Sequence, residues 1–332
     1  MNLKKIAGLT ALLMVLAAAL AGCGGGGKTQ EKPAQPAAKA KELLFATGGT
    51  AGTYYPLGGA ISQIWNEKVK GVHVTVQATG ASVENMRLLG KKEADLALAM
   101  NNIAEDAYKG QGSFKEAIKN FKAVGVVYPE VVQAFVGADS DIKNIAGLKG
   151  KKVAVGPTGS GTAVTTEIIL KAYGLTYKDI QPIFATFADA VDQFKDKHID
   201  SAWNVLAVPA SAIQDVVTVR KIRFLDIEGP ELEKLLKEQP LFSKYEIPAN
   251  SYQGQDKPVK TVTLQSVLYV REDLDENLVY ELTKTLYEQK DAIGQIHNAG
   301  KQIDLKRAVD GVTTPIHPGA LKYYQEKGIK VG

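Results

Sequence analysis

From residue 43 onward, short apolar runs alternate with amphipathic stretches, and their order predicts an α/β fold. Residues 43–47 (LLFAT), 72–77 (VHVTVQ) and 95–100 (DLALAM) are rich in strand formers, while residues 55–69 and 82–89 read as helices. A β-α-β-α-β order implies right-handed crossovers and a parallel sheet covered on both faces. The pattern returns with a strand at 152–156 (KVAVG) and a helix over 161–173. Val164, Ile168, Ile169 and Ala172 share one face of that helix and Gly174 stops it. Shorter strands are predicted at 183–186, 199–206 and 222–227. Two long extended stretches, 121–138 (with Pro129 inside it) and 260–270, belong to neither unit and read as crossings between two lobes. A single long helix is predicted over 277–297, with Leu278, Leu282, Leu286, Gln289, Ile293 and Ile296 on one stripe. The expected domains are lobe one at 43–136 and 267–332 and lobe two at 137–266. Two strands between them make a hinged clamshell with a cleft.

The first 42 residues have a different pattern. Lys4 and Lys5 precede an apolar run over 6–20, closed by Leu20-Ala21-Gly22-Cys23. That is the pattern of a lipoprotein signal peptide over 1–22, with Cys23 as the acylated residue that anchors the chain to a membrane outside the cytoplasm. Residues 23–42, a glycine tract followed by Pro, Ala, Gln and Lys, read as a flexible linker. With its one cysteine lipidated, the body has no disulfide to stabilise it.

Composition narrows the function classes. The chain is 45% hydrophobic and 23% charged, with a net charge of +4. Removing the leader takes away Lys4 and Lys5 and leaves about +2. No Lys/Arg cluster with interleaved aromatics accompanies that charge, which argues against nucleic acid as a partner.

The candidate chemistry lies in strand-to-helix turns. Residues 47–56 (TGGTAGTYYP), 79–84 (TGASVE) and 156–162 (GPTGSGT) are rich in glycine and hydroxyls, and each leads into a helix whose free N–H groups and positive end favour an anion. Parallel α/β sheets bind ligands at the carboxyl ends of their strands, so the turns are expected to converge on one carboxylate-binding cleft. None of the five arginines lies in these turns, so helix N-termini and hydroxyls, with the Ser160 and Thr162 hydroxyls foremost, would hold the carboxylate. Trp203 and Asn204 could add a stacking wall and an amide.

Catalytic patterns are incomplete. Thr162 follows Gly161 where a nucleotide-binding lysine would stand, and Thr158 replaces the outer glycine of a nucleophile elbow at Ser160. The four histidines lack metal-ligand spacing. His198 reads as a solvated turn. His297 reads as a helix end favoured by the dipole. No enzyme, cofactor or metal is expected.

The chain resembles the TAXI-type solute receptors of TRAP transporters over nearly the whole body. The blocks that carry the resemblance are residues 46–66 (ATGGTAGTYYPLGGAISQIWN), 78–99, 148–162, 198–203 (HIDSAW), 279–288 and 315–328. The resemblance implies a type II periplasmic-binding-protein-like clamshell, each lobe a mostly parallel sheet flanked by helices. It implies a monomeric receptor that delivers a carboxylate or amino acid, such as glutamate or glutamine, to an ion-gradient-driven permease. By position it implies ligand contacts from Gly49, Thr50, Thr53, Tyr54, Ser82, Val83, Thr158, Ser160, Gly161 and Thr162. The turns at 100–102 (MNN), with Asn101, and at 204–209 depart from the family pattern beside the cleft. A receptor for an ATP-driven importer is an alternative with the same architecture. A lipid-anchored hydrolase using Ser160 or Thr50 is an alternative from another class.

Overall fold

The computed structural model describes residues 40–331, so the signal peptide, Cys23 and nearly all of the linker lie outside the described residues. The chain runs β1 (Lys41–Ala46), α1 (Tyr54–Lys68), β2 (Val72–Gln77), α2 (Ser82–Lys91), β3 (Leu96–Met100), α3 (Asn101–Lys109) and β4 (Phe121–Gly137). It continues with β5 (Lys152–Ala154), α4 (Gly161–Ala172), β6 (Gln181–Ile183), α5 (Phe187–Lys195), β7 (Ser201–Leu206), α6 (Ser211–Val219) and β8 (Ile222–Phe224). Then come α7 (Pro230–Glu238), β9 (Ser243–Ile247), β10 (Val259–Arg271), α8 (Glu276–Glu288), α9 (Lys290–Ile296) and α10 (Pro318–Glu326).

The strand order is β2-β1-β3-β10-β4-β7-β5-β6, with β8 on β4 and β9 on β10. Each end of the sheet is the parallel β-α-β unit that the alternation predicts. β1 pairs β2 and β3 in parallel, and β5 pairs β6 and β7 in parallel. The two expected crossings are β4 and β10, antiparallel to each other. Their outer parts belong to different halves: β10 meets β3 over Ser266–Val270 and β9 over Val259–Thr263, while β4 meets β7 over Val131–Val136. Where β4 changes neighbours, Pro129 stands opposite Gln265 and Glu130 opposite Leu264, with a register shift after Ser266. Proline brings no N–H to the ladder, and the Gln265 N–H leaves it to donate to Asn101 Oδ1 at 3.1 Å.

Apolar packing fixes both halves. On one side α1 covers the sheet with Leu57, Ile61, Ile64 and Trp65 buried, and the Trp65 indole N–H donates to the Leu282 carbonyl at 2.9 Å. On the other, Phe135 packs edge-on to Phe194 of α5 at 4.9 Å. The expected single helix over 277–297 is two helices, α8 and α9, parted at Gln289. The apolar stripe is continuous, so the pattern alone does not show the break. Tertiary packing accounts for it: α9 turns onto the 3-10 turn at Asn298–Gln302, with Gly294 and Gly300 backbone against backbone. His297 does end α9, but burial lowers its pKa and its Nδ1 accepts from the Ala299 N–H, so it serves there as a neutral cap rather than a cation.

Candidate functional site

The Gly-rich turns meet around one cavity. Gly49, Thr53 and Tyr54 at the start of α1, Ser82 at the start of α2, and Ser160, Gly161 and Thr162 at the start of α4 all line it. The helix starts leave backbone N–H groups without intrahelical partners, and all three bring a positive dipole end to the cavity. Pro157, Phe187, Val205 and Leu206 supply apolar lining. The cavity volume is about 30 Å³, room for a water molecule or two, so the walls stand close together.

The walls touch across it. The Val83 and Glu84 N–H groups donate to the Gly159 carbonyl at 3.2 and 3.3 Å, and the Ala207 N–H donates to Thr53 Oγ1 at 3.2 Å. A Cβ on Gly161 would lie 2.6 Å from Met100 Sδ and 2.9 Å from Ser82 Oγ, so a side chain there would require Met100, Ser82 or the helix start to shift. Glycine is what permits this approach.

The other expected ligand residues lie elsewhere. Thr50 and Thr158 are exposed and do not line the cavity. The Val83 side chain belongs to the core, as does Trp203, whose indole N–H has no partner. Asn204 sits opposite Gln133 within the β4–β7 ladder. Asn101 is spent on structure: it donates to the Gly311 carbonyl at 3.0 Å and accepts from the Gln265 N–H. Of the two turns that depart from the family pattern, Met100, Val205 and Leu206 reach the cavity.

The hydroxyls differ in what they have left to offer. Ser160 Oγ donates to the Pro157 carbonyl at 2.7 Å and accepts from the Ala163 N–H at 3.0 Å, as the cap of its own helix. Its proton is committed, so Thr162 and the helix N–H groups are the better-placed donors on that wall. Opposite, Tyr54 Oη and Ser82 Oγ are 3.4 Å apart, a weak bond, and Ser82 also accepts from the Met100 N–H at 3.2 Å.

Sequence reasoning missed the residue with the strongest local chemistry, Glu130. It lines the cavity, is 1% exposed, and accepts from the Tyr128 hydroxyl at 2.9 Å through Oε1, while Oε2 has no partner. Burial pushes its carboxyl up to about 8 against the weaker pull of the Tyr54 and Tyr128 hydroxyls. Burial and the nearby Glu130 charge raise both phenols well above their usual range. A signal was present: Glu130 is the one charged residue in the apolar run over 123–138. The cavity lining contains no histidine or lysine that could activate Ser160. Among the described residues no group of three His, Cys, Asp or Glu is placed to hold a metal.

Two crossing strands, two parallel half-sheets and a cavity between helix starts define a two-lobe clamshell of the periplasmic-binding-protein class. The chain belongs to the NMT1-like family, whose profile it matches over residues 45–328. The periplasmic binding protein BugD shares the fold, with a TM-score of 0.56 at 12% identity over 87% of this chain and 98% of that one. The periplasmic aliphatic sulphonate binding protein SsuA of Escherichia coli gives 0.49 at 16% identity, over 87% and 84% of the two chains. A binding protein component of an ABC phosphonate transporter from Pseudomonas aeruginosa gives 0.48 at 12% identity, over 80% of each. None of these matches names a TAXI receptor or a TRAP system.

Proposed function

We propose that this protein is an extracytoplasmic receptor that captures a small carboxylate or amino acid and hands it to a membrane permease. The observation that supports it is the convergence of the α1, α2 and α4 starts, from both halves of the sheet, on one cavity. Helix N-termini suit an anion without arginine. In this reading residues 43–136 and 267–332 move as one lobe and 137–266 as the other, closing on the ligand as a monomer. Mass spectrometry of small molecules released from the purified, denatured protein tests the reading. Recovery of a stoichiometric organic acid or amino acid is the expected result, and a purified protein that neither releases nor binds any such molecule sinks it.

Two permease classes use this architecture. The ATP-driven importer comes first, because the neighbour above whose name states a transporter names an ABC one. The TRAP reading rests on the ordered sequence blocks that resemble TAXI receptors. Uptake in vesicles carrying the neighbouring permease genes separates them: ATP dependence supports the first, and abolition by collapsing the ion gradient supports the second. Anchoring rests on Cys23. Cys23→Ser is expected to lose label from a radioactive fatty acid and to leave the membrane fraction or accumulate as precursor. Equal labelling of the mutant removes the lipoprotein reading.

A further inference from the structure

The cavity has two chemically opposite poles. One is the set of helix starts, with backbone N–H groups and positive dipole ends. The other is Glu130, a cavity-lining carboxyl whose buried Oε2 has no hydrogen-bond partner. Facing Glu130 are Tyr128 from its own strand and Tyr54 from α1 as titratable groups, with no lysine, arginine or histidine among the residues that line the cavity. Protein groups therefore supply hydrogen bonds to this carboxyl but no counter-charge. A buried carboxylate without a cation is costly, and Glu130 sits where both halves of the sheet meet, so whatever pairs with it is held by both.

We propose that Glu130 recognises a protonated amine on the ligand, and that the proton Glu130 carries is released to solvent as that amine binds. This rests on the receptor reading above and narrows it to a zwitterionic aminocarboxylate, its carboxylate at the helix starts and its ammonium at Glu130. The exchange balances: a neutral carboxylic acid and an ammonium become a carboxylate–ammonium pair, and one proton passes to the buffer. The raised pKa of Glu130 fits, since most of the group is protonated at neutral pH and an adjacent cation lowers it again. A divalent metal would need more than this one carboxylate and two phenols to complete an oxygen shell. A plain carboxylate would fill one pole and leave the other unpaired.

The test begins with thermal-shift titrations of matched pairs: L-glutamate against glutarate, L-glutamine against 4-carbamoylbutanoate, and L-leucine against 4-methylpentanoate. The amine-bearing member of a binding pair is expected to bind at least tenfold more tightly. Calorimetry of the tightest binder at pH 6.5, in buffers of differing ionisation enthalpy, is expected to show release of about one proton per ligand, with affinity rising towards pH 8. Glu130→Gln is expected to lose at least tenfold in affinity and all of the proton release. The calorimetry on the unmutated protein keeps the proposal open to refutation if that variant folds poorly. A neutral Glu130 that donates to a ligand oxygen gives the opposite result: no proton release, equal binding of the deaminated acids and little loss in Glu130→Gln. That outcome overturns the proposal and leaves the receptor reading standing. If neither member of any pair shifts the melting temperature, the proposal falls, and if no organic acid is recovered from the purified protein, the receptor reading falls too.

Discussion

The two walls of the cavity look alike in sequence and differ in chemistry. Both are strand-to-helix turns of glycine and hydroxyl residues at the carboxyl ends of parallel strands. On the α4 wall, the Ser160 hydroxyl closes on its own turn through Pro157 and Ala163. On the α1 wall, Tyr54 and Ser82 make one long contact, and Glu130 behind them has an oxygen with no partner. The lesson is that a Gly/Ser/Thr turn advertises a helix start, whereas unspent hydrogen-bonding capacity advertises a ligand. The first is local and legible in a short motif. The second depends on partners far away in the chain.

The comparison can be broken by experiment, most forcefully through pH. Because the folded-state pKa of Glu130 lies above its unfolded value, the native state binds more protons between the two. Its contribution to stability is fully present below about 4.5 and is lost as pH rises through about 8. Urea midpoints of the ligand-free protein should therefore fall across that window, and Glu130→Gln should flatten the fall. Parallel curves for the two proteins would mean that the α1 wall holds no such strained acid.

Wall-to-wall contact comes next. Gly161→Ala puts a methyl group into Met100 and Ser82, and overpacking of this kind costs about 1–3 kcal/mol. Because the clash exists only when the walls meet, affinity should fall roughly tenfold or more with ligand-free stability less affected. Unchanged affinity by calorimetry would mean that the walls need not approach so closely to bind. Tyr54→Phe removes a hydroxyl that faces Glu130 and Ser82 on the α1 wall, and should weaken binding by about tenfold while costing about 1 kcal/mol of stability. Ser160→Ala should lose about 1 kcal/mol of stability, seen as roughly 2 °C in melting temperature, but change affinity little. A Ser160→Ala protein with intact stability and lost binding would reverse the assignment of the two walls.

Most of the fold was legible in the chain. The strand-helix alternation gave both parallel units, and the long β-rich stretches at 121–138 and 260–270 gave both crossing strands. The break between α8 and α9 was hidden because Gln289 carries no proline or glycine signal and the apolar stripe runs through it. At the site, the turns named Gly49, Thr53, Tyr54, Ser82, Gly161 and Thr162 as neighbours of one cavity. The family resemblance also suggested Thr50 and Thr158, which are exposed, and the end of a predicted strand suggested Trp203 and Asn204, which lie in the core and in the β4–β7 ladder. Glu130 was missed because a glutamate inside a strand has no motif. Its meaning comes from Tyr54, 76 residues earlier, and from the absence of any cation on the cavity wall.

Pro129 gives the crossing a mechanical character of its own. The ladder between β4 and β10 lacks one donor at that point, and Gln265 turns its N–H to Asn101 instead. The strand pair is thereby stitched to α3 at the point where β4 changes neighbours. The same Asn101 amide donates to the Gly311 carbonyl, so one buried side chain rivets the crossing to the segment that follows α9.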